Sequence, residues 1–310
     1  MEILFLNPVF KQMIWGGNRL RSVFGYNIPG DDTGECWAIS AHPHGDCTIK
    51  NGTFTGYTLS KLWKEKRELF GNAEGEFFPL LTKIIDAKED LSIQVHPDDN
   101  YAAKYEKGAL GKMECWYVLD CEEDASIIIG HYAKTREELR SMIVESRWKE
   151  LLREISIQKG DFFQINPGCI HAIKGGTLIL ETQQNSDITY HLYDYDRLLN
   201  GEKRELHINK SIDIIEVPFI EKETQEGQIA ESSNTWFEKL VRCSKYIVWK
   251  GVVRGNEILK QDRKFMLVSV IEGWGYIGNT PIKMGDHFIL PYGFGESDVS
   301  GEFTVICSAV

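Results

Sequence analysis

Hydrophobic residues occur along most of this chain in short runs, and glycine, proline, asparagine or aspartate separates one run from the next. Runs of this kind are typical of β-strands bounded by turns. Residues 79–87 and 126–130 are predominantly apolar and predict buried strands. In residues 35–40 and 177–182 the side chains alternate between two faces. The pattern therefore predicts a mostly β protein.

A few segments have the spacing of a helix instead. Apolar residues in 58–70 recur near the helical period, and Gly71 offers a stop just after them. A Thr-x-x-Glu capping box begins a second helix, which is predicted over residues 135–152. Asp98 or Asp99 is placed to cap a short third helix. We expect these helices to be inserted in, or to flank, an N-terminal β-structure.

The chemistry of the chain is concentrated in residues 91–119, where polar residues alternate with apolar ones. Successive side chains of a strand point to opposite faces, so Ser92, Gln94 and His96 share one face. A polar excursion follows, and the chain then re-enters an apolar run. The polar face formed by Ser92, Gln94 and His96 therefore needs either a functional role or polar groups that bind to it.

Two further segments bring additional metal-binding side chains. Glu114 opens the apolar run after the excursion, and His171 lies just past a Pro-Gly turn. If these residues return on strands that neighbour His96, two histidines and a carboxylate converge, with Gln94 as a neutral oxygen donor. That set predicts a mononuclear metal site that is open to a substrate.

A histidine at the end of a strand is more often a surface or hydrogen-bonded residue than a ligand. His96 and Glu114 lie in apolar surroundings, however, where an unpaired carboxylate is costly to bury and needs a partner such as a cation. The loop pair His42 and His44 is interpreted as solvated. Glu35 is interpreted as a member of a salt bridge at a strand edge.

The last third of the chain has a different pattern. A polar linker at 221–235 is followed by short β-runs that glycines interrupt. Residues 160–168 and 285–293 share an order of glycine turn, apolar strand and Pro/Gly turn, but a histidine follows only the first. This internal repeat predicts two jelly-roll barrels. Residues 1–225 would form the metal-binding catalytic domain and residues 226–310 a degenerate, structural β domain.

Composition limits the class of partner. The chain has 310 residues and a formal net charge of −11. Its shares of hydrophobic residues (42%) and charged residues (26%) are those of an ordinary globular protein. The acidic balance argues against nucleic acid, since phosphate backbones need a basic surface. No apolar run approaches the ~20 residues of a membrane helix, so no membrane partner is expected.

The redox and targeting signals favour the cytoplasm. The seven cysteines are scattered and include no C-x-x-C pair, which suits a reducing compartment better than a disulfide framework. The first residues lack the basic flank and the cleavage site of a signal peptide. We expect a cytoplasmic protein that is a monomer or a weak homo-oligomer.

Several ordered blocks of this sequence resemble one enzyme family. The blocks are residues 10–17, 34–45, 83–99, 111–119, 167–173 and 181–197, and they include KIIDAKEDLSIQVHPDD, GKMECWYVL and PGCIHAI. They look like type I mannose-6-phosphate isomerase (phosphomannose isomerase), a zinc enzyme of the cupin superfamily. The resemblance covers roughly the first two thirds of the chain, and it implies that both barrels are of the cupin type.

The resemblance also implies the roles of particular residues. One Zn²⁺ per chain would be held by Gln94, His96, Glu114 and His171. The implied reaction interconverts mannose 6-phosphate and fructose 6-phosphate by proton transfer through an enediol-like intermediate. The implied partner is therefore a small hexose phosphate.

Pocket residues follow from the same resemblance. Ser92, Lys112 and Arg197 fall where the family lines the pocket or binds the phosphate, and Lys112 is also a candidate catalytic residue. The alternative for Arg197 is a salt bridge with Asp194 or Asp196 in its own loop. The alternative for Lys112 is a solvated charge at the end of a strand.

The chain departs from the family pattern at His191. Relatives usually read TYRVYDYDR, and that arginine is held to assist catalysis, whereas this chain reads TYHLYDYDR. Histidine is shorter and only partly charged near neutral pH. His191 is therefore a candidate catalytic residue that shuttles protons, or it accommodates another sugar, or it weakens the enzyme.

Two other functions remain compatible with these residues. A sugar-phosphate-binding cupin could have weak or lost activity because of His191. Two histidines and a carboxylate are also the facial triad of non-haem iron oxygenases. Metal content and oxygen consumption separate the oxygenase from the isomerase.

Overall fold

The computed structural model describes residues 1–199, 201–221 and 236–310. All but the first residue of the linker predicted at 221–235 lies outside the described residues. Strands dominate and the helices are short, which confirms the predicted mostly β architecture. Within the described ranges, no helix has the length and hydropathy needed to cross a bilayer.

The first part of the chain supplies most of the strands. They are β1 (Leu4–Asn7), β2 (Val9–Gly17), β3 (Thr33–Ile39), β4 (Ala41–His42), β5 (Gly45–Asp46), β6 (Thr48–Ile49), β7 (Leu80–Ala87), β8 (Ile93–Val95), β9 (Glu114–Cys121), β10 (Ser126–His131), β11 (Leu152–Ser156), β12 (Phe162–Ile165), β13 (His171–Ile173), β14 (Thr177–Gln184), β15 (Tyr190–Tyr193), β16 (Leu198–Leu199) and β17 (Glu202–Lys203).

The remaining elements are the C-terminal strands and the helices. The strands are β18 (Phe237–Arg242), β19 (Ile247–Gln261), β20 (Met266–Ile277), β21 (Thr280–Lys283), β22 (His287–Leu290) and β23 (Gly295–Ala309). The helices are α1 (Arg19–Ser22), α2 (Leu59–Glu65), α3 (Asp99–Tyr105), α4 (Arg136–Val144), α5 (Trp148–Leu151) and α6 (Ile208–Ile214), with 3₁₀ turns at Gly52–Phe54 and Arg67–Phe70.

Two sheets of the N-terminal part pack face to face. One has the strand order β12-β9-β14-β7-β2-β3 and the other the order β11-β10-β13-β8-β15. Side chains from both sheets, among them Ile85, Trp116, Ile129 and Ile173, form a single buried cluster. This is the predicted jelly-roll arrangement, built from two open sheets rather than from a closed barrel.

A third sheet joins the two ends of the chain. Its order is β18-β19-β23-β20-β22-β1-β6, with β21 paired to β20, so N-terminal strands complete it. Trp63 and Phe70 of the α2 region also pack on Phe265, with Phe70 and Phe265 ring centroids 5.4 Å apart. The core thus crosses the predicted boundary at residue 225, and the division into two domains there stays a prediction.

The predicted helices are present but shorter than expected. Helix α2 ends at Glu65, and only a 3₁₀ turn continues to Phe70, before the left-handed Gly71 (φ 59°). The helix predicted over 135–152 divides into α4 and α5, because Ser146 between them is also left-handed (φ 55°). A residue in that conformation cannot continue a right-handed helix.

The predicted caps are confirmed. The Asp98 carboxylate accepts a hydrogen bond from the amide of Tyr101 at 2.8 Å, at the start of α3. The Thr135 hydroxyl accepts one from the amide of Glu138 at 3.1 Å, at the start of α4. The Glu138 carboxylate binds the amide of Lys134 rather than that of the cap residue itself. Each cap satisfies an amide that the helix leaves unpaired.

A buried histidine links the third sheet to the N-terminal segment. His287 Nδ1 lies 2.9 Å from the Ser269 hydroxyl, and Nε2 lies 2.8 Å from the Tyr26 hydroxyl. Burial lowers the pKa of His287 to about 3, whereas a histidine in an unfolded chain titrates near ~6.5. Between these values the unfolded chain binds a proton that the folded protein does not, so stability falls as pH falls through the window.

We expect His287 to contribute a loss in unfolding free energy of about 1.4 kcal/mol for each pH unit below ~6. The unfolding free energy of the variant His287→Gln should therefore fall less steeply with pH than that of the unchanged protein. The two slopes should differ by up to about 1.4 kcal/mol per pH unit. Urea unfolding of the metal-free proteins between pH 7.5 and 5 measures the difference. His44→Gln, at an exposed histidine, is the control. Equal slopes for His287→Gln and the unchanged protein would contradict the assignment.

Candidate metal centre

The predicted ligands come from strands of both facing sheets. His96 directly follows β8, and His171 is the first residue of β13, where it lies opposite Gln94 on the neighbouring strand. Glu114 is the first residue of β9 in the other sheet. Because the two sheets pack face to face, the carboxylate of one sheet meets the two imidazoles of the other.

The three ligand groups lie within contact of one another in the interior. The Nε2 atoms of His96 and His171 are 3.2 Å apart. Each is 3.4 Å from one carboxylate oxygen of Glu114. All three side chains are almost completely buried. The sequence prediction that these residues converge is therefore matched by their positions.

Hydrogen bonds at the far side of each ring decide which nitrogen carries a proton. His96 Nδ1 lies 2.9 Å from the carbonyl oxygen of Ile188, and His171 Nδ1 lies 2.9 Å from that of Cys169. A carbonyl only accepts, so both Nδ1 atoms donate and both neutral rings hold their lone pairs at Nε2. Two lone pairs 3.2 Å apart repel each other unless a proton or a cation lies between them.

Protonation of this pair is unfavourable. Burial, followed by the nearby Lys112 ammonium, lowers the pKa of His96 to about 3. Burial also lowers the pKa of His171. Near neutral pH both rings are therefore uncharged, and their Nε2 lone pairs are available to a metal cation.

The Glu114 carboxylate is ionised despite its burial. Burial alone would raise the pKa of Glu114, but the Lys112 ammonium holds it well below its usual range. Lys112 Nζ lies 2.7 Å from Glu114 Oε2, although neither carboxylate oxygen receives a hydrogen bond of good geometry. Oxygens left in this state are available to a cation.

Gln94 lies beside the same centre. Its side-chain nitrogen is 3.3 Å from His171 Nε2. The two ends of an amide are distinguished only by their hydrogen bonds, and a half-turn would place the oxygen there instead. Gln94 is thus within reach of a metal held by the other three residues, and its role as a direct ligand stays a prediction.

The donor set fits a divalent metal ion. A tetrahedral ion with nitrogen and oxygen ligands at ~2.0–2.1 Å separates those ligands from each other by about 3.4 Å. The ligand atoms of His96, His171 and Glu114 are separated by 3.2, 3.4 and 3.4 Å. Two neutral imidazoles and one carboxylate also leave a net positive charge on such an ion.

A polar cavity of about 240 Å³ adjoins this centre. Its walls include the predicted residues Ser92, Gln94, Lys112 and His191. The Ser92 hydroxyl lies 2.7 Å from His191 Nδ1. Burial, followed by the charge of Arg204, lowers the pKa of His191 to about 3, so its ring is neutral.

Sequence reasoning missed a buried charge network in the same wall. Lys83 Nζ lies 3.5 Å from Glu181 Oε1 and 3.9 Å from Glu35 Oε2. Glu35 was expected in an edge salt bridge, and it does form an ion pair, but inside the cavity wall. A lysine within the predicted buried strand at 79–87 was the available signal, because a buried ammonium needs an anionic partner.

Arg197 lies outside the residues that line the cavity. Its guanidinium donates to the carbonyl oxygen of Asp90 at 2.6 Å and forms a salt bridge with Asp194. This is the alternative that the sequence left open, and a role of Arg197 in phosphate binding stays a prediction. Among the described residues, the arginine that lines the cavity is Arg204, which is not one of the residues predicted from the sequence.

His42 and His44 form a second cluster with Asp187 at the cavity edge. His44 Nδ1 lies 2.5 Å from Asp187 Oδ2, and His42 Nε2 lies 3.5 Å from Oδ1. The amide of His44 donates to His42 Nδ1 at 3.2 Å, so the proton of a neutral His42 is on Nε2. A nitrogen that carries a proton cannot ligate a metal, which distinguishes this cluster from the buried centre.

Comparisons with known proteins agree with this geometry. A family model described as phosphomannose isomerase type I, catalytic domain, matches residues 3–129, and one described as mannose-6-phosphate isomerase, cupin domain, matches residues 238–310. The chain is 51% identical to mannose-6-phosphate isomerase ManA of Bacillus subtilis (strain 168), over 99% of this chain and 98% of that protein.

Two further relatives support the same grouping. A mannose-6-phosphate isomerase of Streptococcus mutans is 45% identical over 99% of this chain and 98% of that protein. The crystal structure of the mannose 6-phosphate isomerase from Bacillus subtilis superposes with a TM-score of 0.95, at 48% identity and over 100% of both chains.

We expect His96→Ala and His171→Ala to lose bound divalent metal, because each removes one of three converging ligands. Metal content after dialysis, measured by mass spectrometry, tests this together with circular dichroism for retained β-structure. His42→Ala removes a histidine of the other cluster and should keep its metal. Full metal occupancy in a folded His96→Ala or His171→Ala protein would refute the ligand assignment.

Proposed function

The chain belongs to the type I mannose-6-phosphate isomerase family, and on that premise we propose that it interconverts mannose 6-phosphate and fructose 6-phosphate with one Zn²⁺ per chain. The observation that carries the proposal is the convergence of two unprotonated Nε2 atoms and an ionised carboxylate beside a polar cavity. The cofactor would be held by His96, Glu114, His171 and Gln94.

Zinc is the proposed ion because of the donor types. Two imidazole nitrogens, a carboxylate and an amide oxygen form a small, mixed nitrogen and oxygen set that suits Zn²⁺ better than the all-oxygen sets of Mg²⁺ or Ca²⁺. When bound, zinc would supply a Lewis acid that stabilises negative charge on the oxygens of an enediol-like intermediate.

Lys112 is proposed as the acidic group of the reaction. Burial alone would lower the pKa of Lys112, but the Glu114 carboxylate raises it above its usual value. Its ammonium, 3.1 Å from His96 Nε2, therefore stays protonated at the edge of the cavity. From that position it can donate a hydrogen bond to a sugar oxygen on which charge develops.

His191 is proposed as the group that accepts and returns the proton. Its neutral ring lines the cavity, and strand β15 places His191 opposite Gln94. The Ser92 hydroxyl is hydrogen-bonded to Nδ1 of His191 at 2.7 Å, and this bond defines the orientation of the ring. Ser92 is accordingly proposed both to position His191 and to contact the sugar.

The absence of an arginine at position 191 supports one alternative function. With histidine there, the same cavity could bind hexose phosphates and turn them over weakly or not at all. Saturable binding of mannose 6-phosphate without formation of fructose 6-phosphate would favour that alternative. The family assignment leaves the iron-oxygenase alternative without support.

The proposed activity should depend on the metal. We expect the purified protein to convert mannose 6-phosphate to fructose 6-phosphate in a coupled assay, to lose this activity after chelation, and to regain it with added Zn²⁺. Activity that persists in protein shown to be metal-free would contradict the zinc-dependent mechanism. Absence of activity at full zinc occupancy would contradict isomerisation itself.

The role of His191 has its own test. His191→Gln keeps a polar side chain but cannot carry a proton, so we expect kcat to fall by about 10²-fold or more. Metal content should not change, because His191 is not a proposed ligand. His44→Gln is the matched control, since it alters a histidine at the cavity edge rather than in the wall. A kcat equal to that of the unchanged protein would exclude His191 as the proton carrier.

A further inference from the structure

The cations of the cavity wall are not equivalent. Lys112 contacts the Glu114 carboxylate at 2.7 Å. Lys83 lies between the carboxylates of Glu35 and Glu181. Each of these lysines thus already has a carboxylate partner in the cavity wall. Arg204 is the remaining lysine or arginine among the described residues that line this cavity.

Arg204 shares its carboxylate with a second arginine. Asp194, which is 7% exposed, pairs through Oδ1 with Arg197 and through Oδ2 with Arg204 Nε at 2.8 Å. Two guanidinium groups around one carboxylate leave a surplus of one positive charge. Arg197 directs Nη1 to the carbonyl oxygen of Asp90 at 2.6 Å and Nε to that of Asp194 at 3.3 Å. The surplus charge therefore faces the cavity through Arg204.

The free donors of Arg204 lie beside His191. Nη1 is 3.4 Å from His191 Nε2, a long contact, and Nη2 has no partner in the parts of the chain that the structure describes. The side chain is 31% exposed, so its outer edge is accessible from the cavity. Arginine presents a planar set of donors that matches two oxygens of a phosphate group.

The backbone around Arg204 is held by strand β15. The amide of His207 donates to the carbonyl oxygen of His191 at 2.8 Å, and the amide of His191 donates to His207 Nδ1 at 3.3 Å. These bonds fix the segment that leads from β17 to α6 against the strand. Arg204 is therefore oriented before any ligand arrives, which reduces the entropy lost on binding.

We propose that Arg204, oriented by Asp194, binds the 6-phosphate of the substrate, in place of Arg197. The inference rests on the proposed function, because it takes the substrate to be a hexose 6-phosphate. In this arrangement His191 lies between the phosphate subsite at Arg204 and the metal centre at Gln94. The same guanidinium supplies the permanent charge that His191 does not bring to this wall.

Arg204→Ala and Arg204→Lys test the inference. A lost charge-assisted hydrogen bond corresponds to about a ten- to hundredfold change, so we expect KM for mannose 6-phosphate to rise by that factor in Arg204→Ala. We expect Arg204→Lys to recover part of the loss in KM, because lysine keeps the positive charge but lacks the planar pair of donors. Arg140→Ala, at an exposed arginine of α4, controls for loss of net charge.

Calorimetry with inorganic phosphate, mannose 6-phosphate and mannose separates this inference from the proposed function. The protein should bind both phosphates, and Arg204→Ala should weaken both while it leaves the affinity for mannose unchanged. This measurement needs no turnover, so it remains informative even if the protein fails to isomerise mannose 6-phosphate. Unchanged phosphate affinity in a folded Arg204→Ala protein would overturn the inference. Normal affinity in Arg204→Lys with lost affinity in Arg197→Lys would also overturn it.

Discussion

Two imidazole nitrogens with their lone pairs 3.2 Å apart are the constraint on which the site depends. The Nδ1 atoms of the two rings donate hydrogen bonds to the carbonyl oxygens of Ile188 and Cys169. Neither ring can therefore turn its protonated nitrogen toward the other ring without losing a hydrogen bond. Burial makes the charged imidazolium costly, which removes the other means of relieving the repulsion. A metal cation held between the two nitrogens would bind both lone pairs at once.

Much of this centre follows from local patterns in the sequence. Alternation along a strand places Ser92, Gln94 and His96 on one face, and the structure keeps all of them at the site. The caps at Asp98 and Thr135 also follow from local chemistry, because a cap bonds to an amide three residues away. These features need no knowledge of which strands become neighbours.

The features that were missed depend on pairing between distant segments. Lys83 lies in a strand that reads as apolar, and its partners Glu35 and Glu181 come from strands far away in sequence. Arg204 lines the cavity, and hydrogen bonds between His191 and His207 hold its segment against β15. Alternation predicts the face of a side chain but not the strand that faces it. The division between α4 and α5 is also not predictable from helix propensity, because it depends on the left-handed backbone conformation of Ser146.

Strand β15 couples the two ends of the cavity, and this changes how position 191 should be interpreted. The strand pairs on one side with the strand of Gln94, and it holds through His207 the segment that carries Arg204. A substitution at 191 therefore acts between the candidate metal centre and the Arg204 cation. An arginine there would add a second permanent charge beside Arg204, whereas the neutral histidine adds a hydrogen-bonding ring that Ser92 orients. In this chain, the permanent charge and the hydrogen-bonding ring of that wall thus belong to two residues, Arg204 and His191.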